Sequence, residues 1–138
     1  MKEIFVDTAG WACLFVKTEP YHRYAAALFR EQRDRGVRFV TTNYVLLELV
    51  ALFMSPLKLP RAKLIDYIEA IKRALYVDVV HVDEGLDAAG WALLKSRTDK
   101  DWSLVDAVSF MVMQERGIKE ALTTDHHFEQ AGFIRLLK

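Results

Sequence analysis

KEIFVDTAGWACLF, residues 2–15, decides the reading of this chain. Lys2–Asp7 is a short apolar run with β-branched and aromatic character, the pattern of a buried strand. From Thr8 onward Trp11, Leu14 and Phe15 recur at helical spacing. A buried strand passing at once into a helix is the opening of an α/β unit, and it leaves Asp7 at the carboxyl end of the strand.

The rest of the chain repeats that alternation. A helix is expected from about Tyr21 to Arg35, with Tyr24, Ala27 and Leu28 inward and Gly36 as its stop. Val37–Thr41 reads as the second strand. Thr42 or Asn43 can cap a helix over Tyr44–Met54, and Ser55-Pro56 ends it. Pro60 opens a further helix to about Leu75. Tyr76–Val82 is the third strand, and Glu84–Ser96 the helix after it. Arg97–Trp102 is a polar loop, and Ser103 caps a helix to Arg116. Strands follow at Glu120–Thr124 and near Phe133–Leu137. The pattern predicts one domain over residues 1–138, a mostly parallel sheet with helices on both faces. Function in such sheets gathers beyond the carboxyl ends of the strands, where strand order reverses.

Four carboxylates fall at that edge in apolar surroundings: Asp7 in IFVDT, Glu48 in VLLELVALF, Asp106 in WSLVDAVSF and Asp125 in ALTTD. None has a Lys or Arg three or four positions away, the reach of a helical ion pair. Each has a structural alternative. Asp7 can cap the following helix, although Thr8 can cap equally well and free it. Ser103 and Asp106 approach a capping box, though Glu or Gln is preferred at the fourth position. Asp125 can be a turn residue. Glu48 is hardest to explain structurally, because Tyr44, Val45, Ala51 and Leu52 surround it one turn away. Taken together, carboxylates about 4 Å apart repel by roughly 4 kcal/mol at an effective dielectric near 20. Such a cluster calls for protons or a cation. Oxygen donors suit Mg²⁺ or Mn²⁺, and a hydrated ion among carboxylates suits attack on a phosphodiester.

Bulk properties narrow the class. The 138 residues are 52% apolar, with 19 basic and 19 acidic side chains and a net charge of zero. That excludes a basic nucleic-acid coat but not a local positive groove. Cys13 is the single cysteine, so no internal disulfide forms, and it reads as core. There is no leader pattern and no apolar run of about 20 residues, so a cytoplasmic protein without a membrane span is expected. Glycine-rich phosphate loops, zinc-spaced Cys or His pairs and a Gly-x-Ser-x-Gly elbow are absent. A haloacid-dehalogenase-like phosphatase needs a second Asp where Ala9 stands, and His81-Val82-Asp83 fits a phosphoacceptor receiver poorly.

FVDTAGW around Asp7, Glu48 after Thr-Thr-Asn, SLVDAVSF at Ser103–Phe110 and LTTDHHFEQAGF at Leu122–Phe133 together resemble the PIN-domain nucleases, most closely the VapC-type toxins of toxin–antitoxin pairs. The likeness spans essentially the whole chain, with Val105 departing from a common Thr. It implies a PIN-like three-layer sandwich around a five-stranded parallel sheet and a Mg²⁺- or Mn²⁺-dependent endoribonuclease acting on an RNA substrate. It also implies a homodimer and a cognate antitoxin protein that blocks the acidic groove. Asp7, Glu48, Asp106 and Asp125 take the places of the acidic quartet, with Asp7 and Asp106 the firmest metal ligands.

Asp101, in the loop before Ser103, is a further metal candidate, whereas Asp99 reads as solvent-facing. Thr8 and Thr124 are supporting residues whose hydroxyls can orient a carboxylate or water. His126 and His127 read as loop residues, with His127 a candidate phosphate contact. Lys95, Arg97 and Lys100, and Lys58, Arg61 and Lys63, are candidate RNA contacts or ordinary surface charge. Trp11, Phe15, Leu52 and Phe53 read as core or dimer contacts rather than stacking platforms. The alternatives are a catalytically silent PIN-like RNA-binding or assembly module, and a housekeeping PIN nuclease without an antitoxin.

Overall fold

The computed structural model describes residues 1–138. Five strands form one sheet: β1 (Glu3–Val6), β2 (Arg38–Thr42), β3 (Val77–Val80), β4 (Glu120–Leu122) and β5 (Ile134–Arg135). Every neighbouring pair is parallel, and the order is β3-β2-β1-β4-β5. Seven helices flank it: α1 (Thr8–Phe15), α2 (His22–Asp34), α3 (Asn43–Met54), α4 (Arg61–Arg73), α5 (Glu84–Ser96), α6 (Leu104–Arg116) and α7 (His127–Gln130). The chain builds outward from β1 through β2 to β3, then returns to place β4 on the other side of β1. Strand order therefore reverses between β1 and β4, the point where open α/β sheets hold their ligands.

β1 is buried because both its faces are covered: Ile4, Phe5 and Val6 are at most 1% exposed. Phe5 meets Phe128 of α7 with ring centroids 6.3 Å apart, and Phe128 meets Phe110 of α6 edge-on at 4.9 Å. That aromatic chain ties the start of α7 to α6 across the end of the sheet. Gly10 allows a second close approach. A Cβ there would lie 2.0 Å from the Leu122 carbonyl oxygen, so α1 runs directly against the end of β4.

Three expectations need correction. The inner face of α2 is Ala25, Leu28 and Phe29; of the three residues expected there only Leu28 faces inward, since Tyr24 is 51% exposed and Ala27 is also exposed. The i, i+3, i+4 stripe starts one residue later than expected, with Ala25 fully buried. The last strand shrinks from Phe133–Leu137 to two residues. His127, read as a loop residue, opens the short helix α7, where Phe128 supplies a core side chain.

Candidate active site

In the register of β1 against β4, Val6 pairs with Leu122. The next residue on each strand, Asp7 and Thr123, therefore leaves the sheet at the same level. Thr123 donates its hydroxyl to Asp7 Oδ2 at 2.7 Å. Asp7 Oδ1 accepts the Gly10 N–H at 2.8 Å, which makes Asp7 the N-cap of α1. Capping by Thr8 does not occur. Its hydroxyl instead donates to Glu48 Oε1 at 2.5 Å, joining α1 to α3. Asp7 both caps and faces the cluster, because each carboxylate oxygen has a second lone pair to offer.

Glu48 is placed by α3, which Thr42 caps through the Val45 N–H. Asp106 is placed by a complete capping box: Ser103 Oγ accepts the Asp106 N–H at 3.1 Å, and Asp106 Oδ2 accepts the Ser103 N–H at 3.0 Å. The side-chain bond of that box uses Oδ2 alone, which leaves Oδ1 without a protein hydrogen bond. Asp125 follows β4. Its N–H donates to Thr123 Oγ1 at 2.9 Å, and its Oδ1 accepts the His127 N–H at 2.9 Å.

Thr123 is thus the buried hinge of the site, holding Asp7 with its proton and Asp125 with its lone pair. Thr124 had been expected in a supporting role, but only its main-chain oxygen makes a recorded bond, to Arg135 at 2.9 Å. Two adjacent threonines are indistinguishable by composition; successive side chains leaving the end of β4 point to opposite sides, and it is the Thr123 hydroxyl that meets Asp7. Asp101 lies exposed in the loop before α6, outside the hydrogen bonds that link the other acids. His127, expected in a loop, opens α7 with Nδ1 3.3 Å from both Asp106 Oδ2 and Asp125 Oδ1. The signal that could have found it is Phe128, an apolar residue that anchors the turn.

The electrostatics show that these acids share one space. Burial pushes Asp7 from the usual 3.8 up to about 7; the Thr123 and Gly10 hydrogen bonds oppose this, and the charges of Asp125 and Asp106 add to it. Glu48 is raised first by burial and then by Asp106 and Asp125, with the Thr8 hydrogen bond opposing. Burial also raises Asp106, followed by the Asp125 charge, with Ser103 and His127 opposing. No Lys or Arg is paired with any of the four. Partly desolvated carboxylates with mutual repulsion and no Lys or Arg partner form a site suited to a cation. The donor set fits a divalent ion: Glu48 Oε2, Asp106 Oδ1 and Asp125 Oδ2 are free of protein hydrogen bonds, and the buried His127 Nδ1 has no partner.

Of the candidate RNA contacts, Arg97 is bound to Asp99 at 3.0 Å and lies over Trp102 at 5.2 Å, so it serves the loop. Lys58, Arg61 and Lys63 are exposed and make no ion pair. Trp11 and Phe53 are core, and Trp11 donates its indole N–H to Thr41. No helix is long and apolar enough to cross a membrane.

Comparison with known proteins agrees with this geometry. The PIN domain model matches residues 4–134. The chain is 33% identical over 133 residues to the 23S rRNA-specific endonuclease VapC20 of Mycobacterium tuberculosis, in strains CDC 1551 / Oshkosh and ATCC 25618 / H37Rv. That match covers 96% of this chain and 97% of the relative. The crystal structure of Mycobacterium tuberculosis VapC20, a Sarcin-Ricin loop cleaving toxin, superposes with a TM-score of 0.86 at 30% identity, covering 98% of this chain and 99% of that one. With its strand order, its acids at the sheet edge and a family match over nearly all its length, the chain belongs to the PIN-domain family.

Proposed function

We propose that this protein is a metal-dependent endoribonuclease and the toxin of a toxin–antitoxin pair. The observation that carries this reading is the convergence of Asp7, Glu48, Asp106 and Asp125 at the β1–β4 reversal, where Asp7 and Glu48 both face the charges of Asp106 and Asp125, and Asp106 faces that of Asp125. Asp7, Asp106, Glu48 and Asp125 would hold Mg²⁺ or Mn²⁺. Such an ion supplies a lowered pKa for water and charge stabilisation at phosphoryl oxygens. The chain's own residues do the positioning. Thr123 fixes the Asp7 and Asp125 carboxylates relative to one another, Thr8 turns Glu48 toward them, and the Ser103 box fixes Asp106. Lys58, Arg61 and Lys63, exposed and without ion pairs, are the cations that would meet an RNA backbone. The relatives' names make structured 23S rRNA, and its Sarcin-Ricin loop first, the substrate to test. A homodimer working in the cytoplasm and a cognate antitoxin complete the proposal.

The test is cleavage of purified ribosomes and of naked RNA with Mg²⁺ or Mn²⁺, with chelator, and with Asp106→Asn. Metal-dependent cuts by the wild type that the variant does not make support the reading. Equal cutting by Asp106→Asn, or cutting in excess chelator, rejects it.

A further inference from the structure

His127 is the one polar side chain of the site that the acidic set does not account for. Its Nδ1 is buried and makes no hydrogen bond, although two carboxylate oxygens lie 3.3 Å away. Both of those oxygens already accept a main-chain N–H: Asp106 Oδ2 from Ser103 and Asp125 Oδ1 from His127 itself. An imidazole donating to either would align its N–H with an oxygen lone pair, and this ring does not. A buried ring nitrogen without a partner is uncommon, and such an atom calls for a group outside the protein. The separation is informative as well. Donors at adjacent corners around an ion with bonds of about 2.1 Å lie about 3.0 Å apart in an octahedron and about 3.4 Å in a tetrahedron.

We infer that His127 is the nitrogen ligand of the site and sets its preference among divalent cations, in company with Asp106 and Asp125. The inference rests on the metal-dependent reading above and sharpens it. A purely carboxylate nest suits Mg²⁺, whereas one imidazole tilts a site toward transition metals such as Co²⁺. His126 stands beside it, with ligand atoms of Asp125, His126 and His127 all within 4.8 Å of one another, but it is the more solvent-exposed of the two imidazoles. Its side chain is 64% exposed, and its Nδ1 lies 3.8 Å from Asp125 Oδ1. The backbone of His127 is held from both sides. Its main-chain N–H donates to Asp125 Oδ1, and its neighbour Phe128 is fully buried against Phe5 and Phe110. The nitrogen is therefore presented by a fixed turn.

The experiment has a readout independent of cleavage. Mn²⁺ bound to the wild-type chain is measured by pulsed electron paramagnetic resonance, and Co²⁺ and Mg²⁺ binding by titration calorimetry on the wild type, His127→Ala and Asp106→Asn. We expect nitrogen-14 modulation on the wild-type Mn²⁺ signal and its loss in His127→Ala. Co²⁺ affinity should fall at least about tenfold in that variant while Mg²⁺ affinity moves less than about threefold. Bound Mn²⁺ without nitrogen modulation in the wild type overturns the inference, and that measurement needs no variant to fold. A parallel loss of Co²⁺ and Mg²⁺ affinity also overturns it, leaving His127 a packing residue in an intact all-oxygen metal site. Absence of any binding to the wild type, or binding unaffected by Asp106→Asn, overturns the metal-dependent reading itself.

Discussion

Asp7→Asn should stabilise the metal-free protein while removing its activity. Asp7 is 7% exposed, and burial raises its pKa to about 7. An unfolded aspartate titrates near 3.9. Between about pH 4 and 7 the folded chain keeps a proton that the unfolded chain has released. The folded state then binds more protons, and stability falls as pH rises through that window. One pKa unit corresponds to about 1.4 kcal/mol, so the full cost by pH 8 is about 4 kcal/mol, of which roughly 2–3 kcal/mol accrues above pH 5. The raised pKa values of Glu48 and Asp106 act in the same direction. Asparagine removes the charge and keeps an acceptor for the Gly10 N–H. It places an N–H₂ group against the Thr123 hydroxyl, at a cost of about 1 kcal/mol. The expected net gain is about 3 kcal/mol at pH 8 and under about 1 kcal/mol at pH 5. For a chain of this length that is a melting temperature about 10 °C higher at pH 8. Thermal and urea unfolding of both proteins in chelator at the two pH values measure it. A wild type whose stability does not fall between pH 5 and 8, or a variant destabilised equally at both, would refute the reasoning. Added Mn²⁺ should stabilise the wild type at pH 8 and the variant far less, by mass action on the folded state.

Two further substitutions probe the frame around the acids. Thr123→Val keeps the shape but removes the donor to Asp7 and the acceptor for the Asp125 N–H; cleavage should drop about 10–100-fold and stability by about 1–3 kcal/mol, whereas Thr124→Val should leave the cleavage rate within about twofold. Rates and urea midpoints for the two valine variants check this, and equal effects would remove Thr123 from its assigned place. Gly10→Ala puts a methyl carbon 2.0 Å from the Leu122 carbonyl oxygen, so α1 must move off β4. A loss of about 3 kcal/mol or more, read by urea unfolding, is expected, since backbone cannot yield as a side chain does.

The alternation of apolar runs with helical stripes was legible from local residues alone. So were the cap at Ser103 and the stop at Gly36, since each depends on contacts within four positions. That Asp7, Glu48, Asp106 and Asp125 are out of keeping with their neighbours was also legible, because an acid in an apolar setting with no nearby cation conflicts with its surroundings wherever it folds. Less legible were features that depend on two distant segments. Whether Asp7 or Thr8 caps α1 depends on Glu48, forty residues away, competing for the Thr8 hydroxyl. Whether Thr123 or Thr124 supports the site depends on the β1–β4 register. The role of His127 depends on the packing of Phe128 against two other elements.

Local chemistry alone thus determined an α/β chain with strand-end acids in need of a shared partner. It did so because periodicity, capping and unpaired charge are properties of short segments. The order β3-β2-β1-β4-β5, and with it the meeting of residues more than a hundred positions apart, was decided only in three dimensions. Hydrogen bonds such as that from Thr123 to Asp7 exist only once two strands have chosen their register, and no local pattern encodes a distance between segments that the sheet has yet to join.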